Sequence, residues 1–323
     1  MNIKQIRLLI SLLLVVAVAL FFGLTSNSFF TMSNISQLLR ESAYIGTIAI
    51  GMSGVIISGN IDLSAGGIVC FSGCILARLA HAGAPGVVCV ILAIAVGVGL
   101  GFINSVLVNH LHIAPFVATL AAGFAYTGLG LIFTFRDKMG RQLNQSIKNP
   151  GVEFLGGKVG IIYYSVIVWL ILAFIIYFLQ TRTRFGMHTY AVGSNEKSAQ
   201  MSGVRIYRIK AINYMICGAM CGVASVFTVA YNHTATPSLG NAMEFQAIAA
   251  CVIGGIVMSG GFGSSISAVL GSVFFMMLTN GMLKYGLNVD WQKMVQGALI
   301  IIATSFDAQF TRAYTARMRK KNN

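Results

Sequence analysis

Ser58-Gly59-Asn60-Ile61-Asp62-Leu63-Ser64-Ala65-Gly66-Gly67 is a polar, glycine-rich break set directly against an apolar run, and Ser259-Gly260-Gly261-Phe262-Gly263-Ser264-Ser265 is a second. In hydrocarbon every unsatisfied peptide group is costly, so irregular backbone is tolerated at membrane depth only where protein shields it or it lines a watery cavity. Breaks of this kind imply a path through a bilayer, with broken helices near the centre of a bundle.

Outward from the breaks the sequence is that of a membrane protein. Hydrophobic residues make up 56% of the 323 and charged residues 9%, and mean hydropathy is +0.80; an ordinary soluble domain carries about 25% charged residues. The fold class is therefore all-α and polytopic, one transmembrane domain over 1–323. Spans of membrane-crossing length fall near 8–24, 43–58, 64–80, 86–109, 115–135, 161–180, 211–231, 242–258, 264–284 and 294–310, ten in all. The first follows Lys4 and Arg7 as a secretory signal would, but it is longer than a signal's apolar core and no small-x-small cleavage site follows, so it reads as an uncleaved helix.

Even parity places both termini on one side with the segment 181–210. That side then holds Lys4, Arg7, Arg182, Arg184, Lys197, Arg205, Arg208, Lys210, Arg312, Arg317, Arg319, Lys320 and Lys321, the majority of the 22 basic residues, which makes it cytoplasmic by the positive-inside rule. The loop 136–160 fits less well, with Arg136, Lys138, Arg141, Lys148 and Lys158 only partly balanced by Asp137 and Glu153. Basic ends facing anionic lipid account for the net charge of +14 without nucleic acid.

Cys70, Cys74, Cys89, Cys217, Cys221 and Cys251 all lie in apolar spans, where they read as small core residues and not as thiolates for metal or redox chemistry. His110 and His112 have no third ligand nearby in sequence, and no metal site is expected. The chain lacks a Walker lysine motif, a G-x-S-x-G elbow and H-E-x-x-H, so catalysis by this chain is not expected. Gly97-x-x-x-Gly101 and Gly218-x-x-x-Gly222 are spacings that let helices pack closely.

Four places carry chemistry. Asn60, Asp62 and Ser64 stand between two spans, with Asp62 placed to cap a helix beginning at Leu63; the alternatives are a plain surface turn and an unwound helix beside a path. Glu244 and Gln246 open the eighth span, where a carboxylate and an amide can bond hydroxyls or simply sit at a solvated helix start. Pro115 begins a helix in which Thr119 faces the bundle or bonds its own backbone. In the long polar segment 183–210, Asn195–Met201 predicts a short helix capped by Ser194 or Asn195 and ended by Gly203, either a handle for a partner protein or an ordinary basic loop. The apolar stretches around the two breaks also look alike, GVIISGNIDLSAG from Gly54 and GIVMSGGFGSS from Gly255, as two similar tight turns would.

The run FFTMSNISQLLRESAYIGTIAIGMSGVIISGNIDLSAGGI from Phe29 resembles the opening of the inner-membrane permeases of bacterial ribose-type sugar ABC importers, with their F-x-T-x-x-N-x-x-x-L-L lead and S-G-G-I-D-L-S-V-G element. Pro115-Phe116, Thr183-Arg184-Phe185-Gly186, Ala191–Asn195, Ser202-Gly203-Val204, Ala247–Gly255 and Ser259-Gly260-Gly261 match further elements in order, over about residues 29–272. The resemblance implies a homodimeric pore that receives a monosaccharide or related small polyol from a periplasmic binding protein. It implies no cofactor on this chain, with ATP and Mg held by a cytoplasmic ATPase subunit. By the same resemblance Asn195–Met201 is the coupling helix, with Gly193, Asn195, Ala199, Ser202 and Gly203 serving the ATPase contact, and Asn60, Asp62 and Ser64 border the translocation path, to which Thr119, Glu244 and Gln246 are added.

Asn60, Ala65, Thr127, Ser194, Gln246 and Phe262 depart from the family pattern, several of them exchanging charge for neutrality, so ribose is not assumed. The alternative is an ion-coupled secondary carrier of a small polar solute, disfavoured because Asp62, Glu244, Asp290 and Asp307 fall at or near span ends. A channel would need a filter motif, and none is present.

Overall fold

The computed structural model describes residues 3–134, 147–236, 238–302 and 304–305. Arg136, Asp137, Lys138 and Arg141 of the loop 136–160, Asp307 and the basic tail from Arg312 to Lys321 lie outside them, as does the end of the tenth expected span.

The described residues are mostly helical. In order come α1 (Ile3–Thr25), α2 (Met32–Ile57), α3 (Ala65–His81), α4 (Gly86–Asn109), α5 (Pro115–Phe133) and the single turn α6 (Pro150–Glu153). There follow α7 (Tyr164–Arg182), α8 (Arg184–Ser194), α9 (Glu196–Met201), α10 (Ile206–Asn232), α11 (Met243–Ile253) and α12 (Ser265–Lys284), with a further helix over 289–302. Among the described residues the expected all-α class has one small exception: β1 (Lys158–Val159) and β2 (Ile162–Tyr163) form an antiparallel hairpin in the loop before α7.

Among the described residues six helices are long and apolar enough to cross a membrane: α1 from Ile6, α4, α5, α7, α10 and α12. Their most apolar windows divide into two groups. Those of α1, α4, α5 and α7 are 11 to 33% buried, whereas α10 and α12 are 72% and 61% buried. The first four turn leucine, isoleucine and phenylalanine outward, as lipid contact requires, around a centre of α2, α10 and α12. At 26 residues α2 is long enough to span but carries Arg40 and Glu41; α3 has 17 residues and α11 only 11. Arg40 is buried in its first half, its guanidinium carbon 3.6 Å from the Tyr231 ring centroid and 3.4 Å separating Nη2 from the Glu41 carboxylate, so the charge is held by aromatic faces and an acid instead of by water.

The small-residue spacings set a close crossing of α4 and α10. Gly97 and Gly101 of α4 meet Gly218 and Gly222 of α10 so closely that a Cβ on Gly97 would strike the Gly218 carbonyl, and one on Gly218 the Gly97 carbonyl. Both expected motifs thus serve packing within the chain.

The molecule has two distinct ends. At one, Ser36 Oγ donates to the Ile161 carbonyl, Asn149 Nδ2 to Ala84, and the Ile147 N–H to His233. At the other, Ser11 Oγ donates to Gly254, Asn109 Nδ2 to Tyr207, and α8 and α9 cover the bundle.

Candidate functional site

Local chemistry first shapes the turn after α2. Ser58 closes that helix, Gly59 takes φ +80, and Asn60 Nδ2 bonds back to the Ser58 carbonyl and hydroxyl. The next helix starts at Ala65, not Leu63. Asp62 accordingly does not cap α3; its Oδ1 accepts the Ser64 N–H at 2.9 Å and the Ser64 hydroxyl at 2.6 Å, closing the turn one residue earlier.

Three spans complete the cluster. Asn104 Nδ2 of α4 donates to Ser64 Oγ at 2.6 Å and to both Asp62 oxygens at 3.3 and 3.4 Å. Tyr126 of α5 donates to Asn104 Oδ1 at 2.9 Å, and Tyr214 of α10 to the Ile61 carbonyl at 3.1 Å. Thr119 of α5 accepts the Leu63 N–H at 3.0 Å while donating to Pro115. Asp62, Ser64, Asn104, Thr119 and Tyr214 are fully buried. The unwound backbone is therefore satisfied by side chains from α4, α5 and α10, as a break away from water requires.

Helix lengths fix its depth. At 1.5 Å per residue α2 rises about 39 Å and α3 about 26 Å, and of the segment that joins them Asn60 and Asp62 to Ala65 are buried. Asn104 is five residues from the end of α4 and Tyr214 eight from the start of α10, which sets Asp62 about 10 Å inside the α8 end. Asp62 stands between two helix ends, as expected, and its side chain is fully buried in the bundle there.

Next to the cluster lies a cavity of about 450 Å³, within the range of small-molecule sites. Leu63, Gly66 and Gly67 line one wall, Leu120, Gly123, Phe124 and Thr127 of α5 another, and the segment from Ser238 to Phe245 the third. Glu244 supplies its carboxylate, beside Gly66, where a Cβ would strike Glu244 Oε2. Phe124 and Phe245 are exposed aromatic side chains in two of these walls. Gln246 is half-buried and outside this lining, and Asn60 is engaged with Ser58, so neither joins Glu244 at the cavity.

The second break docks on the first. The Gly261 N–H donates to the Ile57 carbonyl at 2.8 Å, and Gly193, at the end of α8, is wedged between them: a Cβ there would strike the Ile57 carbonyl and come within 2.6 Å of Gly261 N. Tyr190 of α8 donates to the Gly263 carbonyl at 2.6 Å; burial pushes its phenol up to about 12, so it stays a donor. Gln180 at the end of α7 ties the same region, donating to Ser53 of α2 and accepting the Ser265 N–H of α12, both at 2.8 Å.

Beyond Gly193 the chain forms the expected short helix. Asn195 caps α9 by accepting the Ser198 N–H at 3.0 Å, and Gly203 ends it with φ +81, a conformation glycine adopts without strain. Ser202 donates to the Ser198 carbonyl, and Lys210 pairs with Glu196 at 2.8 Å. Ala199 faces inward against Val192, Ile206 and Ile209, whereas Met201 is 90% exposed.

Asn104, Tyr126, Tyr214 and Gln180 escaped the sequence reading because each lies in an apolar span and none belongs to a motif. The available signal was the polarity of Asn104 inside GFINSVLVN, since polar side chains within spans need partners.

A family model described as the permease component of branched-chain amino acid transport systems matches residues 34–304. The chain is 35% identical over 281 residues to the ribose import permease protein RbsC of Bacillus subtilis, covering 87% of this chain and 86% of that one. It is 33% identical to the D-allose transport system permease protein AlsC of Escherichia coli, covering 91% and 89%, and 28% identical to the galactose/methyl galactoside import permease protein MglC of the same organism, covering 95% and 94%. With its spans, its breaks and its matched length in agreement, this chain belongs to that family of membrane-embedded transport permeases.

Proposed function

We propose that the chain is the membrane subunit of an ATP-driven ABC importer in a bacterial inner membrane, carrying a monosaccharide or related small polyol inward. Relatives named for ribose, D-allose and galactose support the substrate class. The observation that carries the mechanism is the contiguity of its parts: the short helix α9 follows α8, α8 wedges Gly193 between the two breaks, and the first break leads to the Asp62 cluster and the Glu244 cavity.

In this reading ten helices or half-helices alternate in direction, α3 and α11 being the short ones, and both termini and the α8 end are cytoplasmic. Met201 and the outer face of α9 enter a groove of the ATPase, which holds ATP and Mg; Gly193, Asn195, Ala199, Ser202 and Gly203 shape and seat that helix. A displacement of α8 moves Ile57 and Gly261 together, and with them the turn that Asp62 holds. Glu244 accepts solute hydroxyls while Phe124 and Phe245 offer flat apolar faces. A periplasmic binding protein delivers the solute at the end bearing the β1–β2 hairpin, and a second copy of the chain completes the pore.

Asp62 inside the bundle gives the ion-coupled carrier a specific observation in its favour. Its oxygens, however, already accept from Ser64 and Asn104, which makes it a brace for the break. Proteoliposomes decide between the two: uptake is expected only with the ATPase subunit and ATP, and uptake by this chain alone on an ion gradient would overturn the importer reading.

A further inference from the structure

A second cavity, of about 270 Å³, opens at the α8 end between α1 and α7, where the second break and the start of α12 form its floor. Arg7 and Leu8 of α1 stand on one side, Tyr177 and Thr181 of α7 on the other, with Ser267 and Ile266 below. Arg7 brings a full positive charge to this mouth; its guanidinium carbon is 5.1 Å from the Phe262 ring centroid and its Nη1 is 3.5 Å from the Gly255 carbonyl. Arg182 and Arg184, both exposed, follow Thr181 in sequence at the same end.

Away from the mouth the surroundings turn apolar. α1 and α7 each pack on α12, and their exposed apolar side chains include Leu8 and Leu12 on α1 and Phe174 and Phe178 on α7. Phe174, Phe178 and Thr181 follow at helical spacings of four and three, so they share a face that leads from the mouth toward the middle of the span. A cation at the end of a helix bundle, continued by an apolar strip along the span, has the charge pattern of a lipid molecule: an anionic head followed by hydrocarbon.

We infer that this cavity binds the head group of an anionic phospholipid, with the phosphate facing Arg7 and the acyl chains lying along the α1–α7 strip over α12. The site adjoins Gly255, just after α11, and Gly263 and Ser264 of the second break, so an occupant braces the connection between α11 and α12. A zwitterionic lipid fills the strip but offers the arginines no net charge, and inorganic phosphate matches the mouth but not the strip. The inference is independent of which solute the chain carries.

Native mass spectrometry of the full chain, exchanged from nanodiscs containing equal amounts of phosphatidylglycerol and phosphatidylcholine, tests it. Retention of phosphatidylglycerol is expected, with an affinity about fivefold lower in Arg7→Gln, the scale of one basic side chain near an anionic head group. Thr181→Trp, which leaves Arg7 in place and fills the mouth, is expected to release the lipid. Equal retention of the two lipids by the unaltered chain, unchanged preference in both variants, or complete displacement of phosphatidylglycerol by inorganic phosphate would each overturn the inference.

Discussion

Asp62 shows how a single residue changes meaning once its neighbours are known. Three donor groups converge on its carboxylate, the Ser64 N–H, the Ser64 hydroxyl and the Asn104 amide, and removing the acceptor leaves them buried without it. Asp62→Ala is expected to lower unfolding free energy by about 2 to 4 kcal/mol, read as a fall in thermal midpoint in detergent, and to reduce uptake while co-purification with the ATPase persists. Unchanged thermal stability would remove the brace. Glu244 is the contrasting case, because among the described residues no comparable set of donors holds its carboxylate and it lines a cavity. Glu244→Gln is expected to leave stability unchanged and to raise the half-saturating solute concentration about tenfold, the loss of one charged acceptor; an unaltered concentration dependence in proteoliposomes would exclude it from solute contact.

At the scale of elements the glycine junction matters most. Gly193 has backbone on both sides, and a methyl group there would push Ile57 away from Gly261. Gly193→Ala is expected to insert normally, to lower the thermal midpoint, and to uncouple ATP hydrolysis from uptake more than tenfold, since backbone cannot move aside as a flexible side chain can. The helix α9 divides into two faces. Met201→Asp, on the exposed face, is expected to preserve folding and abolish ATPase co-purification, whereas Ala199→Asp buries a charge against Val192 and Ile209 and is expected to unseat the helix itself. Intact binding by Met201→Asp would move the contact off this helix. Asn195 and Gly203 were legible as its boundaries because capping is a local matter of one side chain and one backbone angle; the inward turn of Ala199 was not, because it depends on α8 and α10.

The whole molecule is a layered bundle with lipid-facing α1, α4, α5 and α7 around α2, α10 and α12. Its two ends differ in chemistry: a hairpin and a short turn at one, α8 and α9 with Arg182, Arg184 and Lys210 at the other. Alternating helix direction predicts that a reporter joined after residue 323 and a cysteine placed at Met201 are both reached from the cytoplasm, while a cysteine at Ile161 is labelled from outside. Labelling of the positions at 161 and 201 from the same side would overturn the proposed ten-pass topology.

Composition and hydropathy were enough to establish an all-α membrane protein, because burying apolar side chains in lipid is a sum over residues and needs no knowledge of their partners. The two glycine breaks and the small-residue spacings of α4 and α10 were equally visible, since each is written in consecutive or regularly spaced residues. Only the tertiary structure placed Asp62 about 10 Å inside the bundle, gathered Asn104, Tyr126 and Tyr214 around its turn, and joined the breaks through Gly193. Those facts depend on where helices distant in sequence cross, and the requirement that unwound backbone find its hydrogen bonds within the protein is met by whichever side chains that crossing brings near.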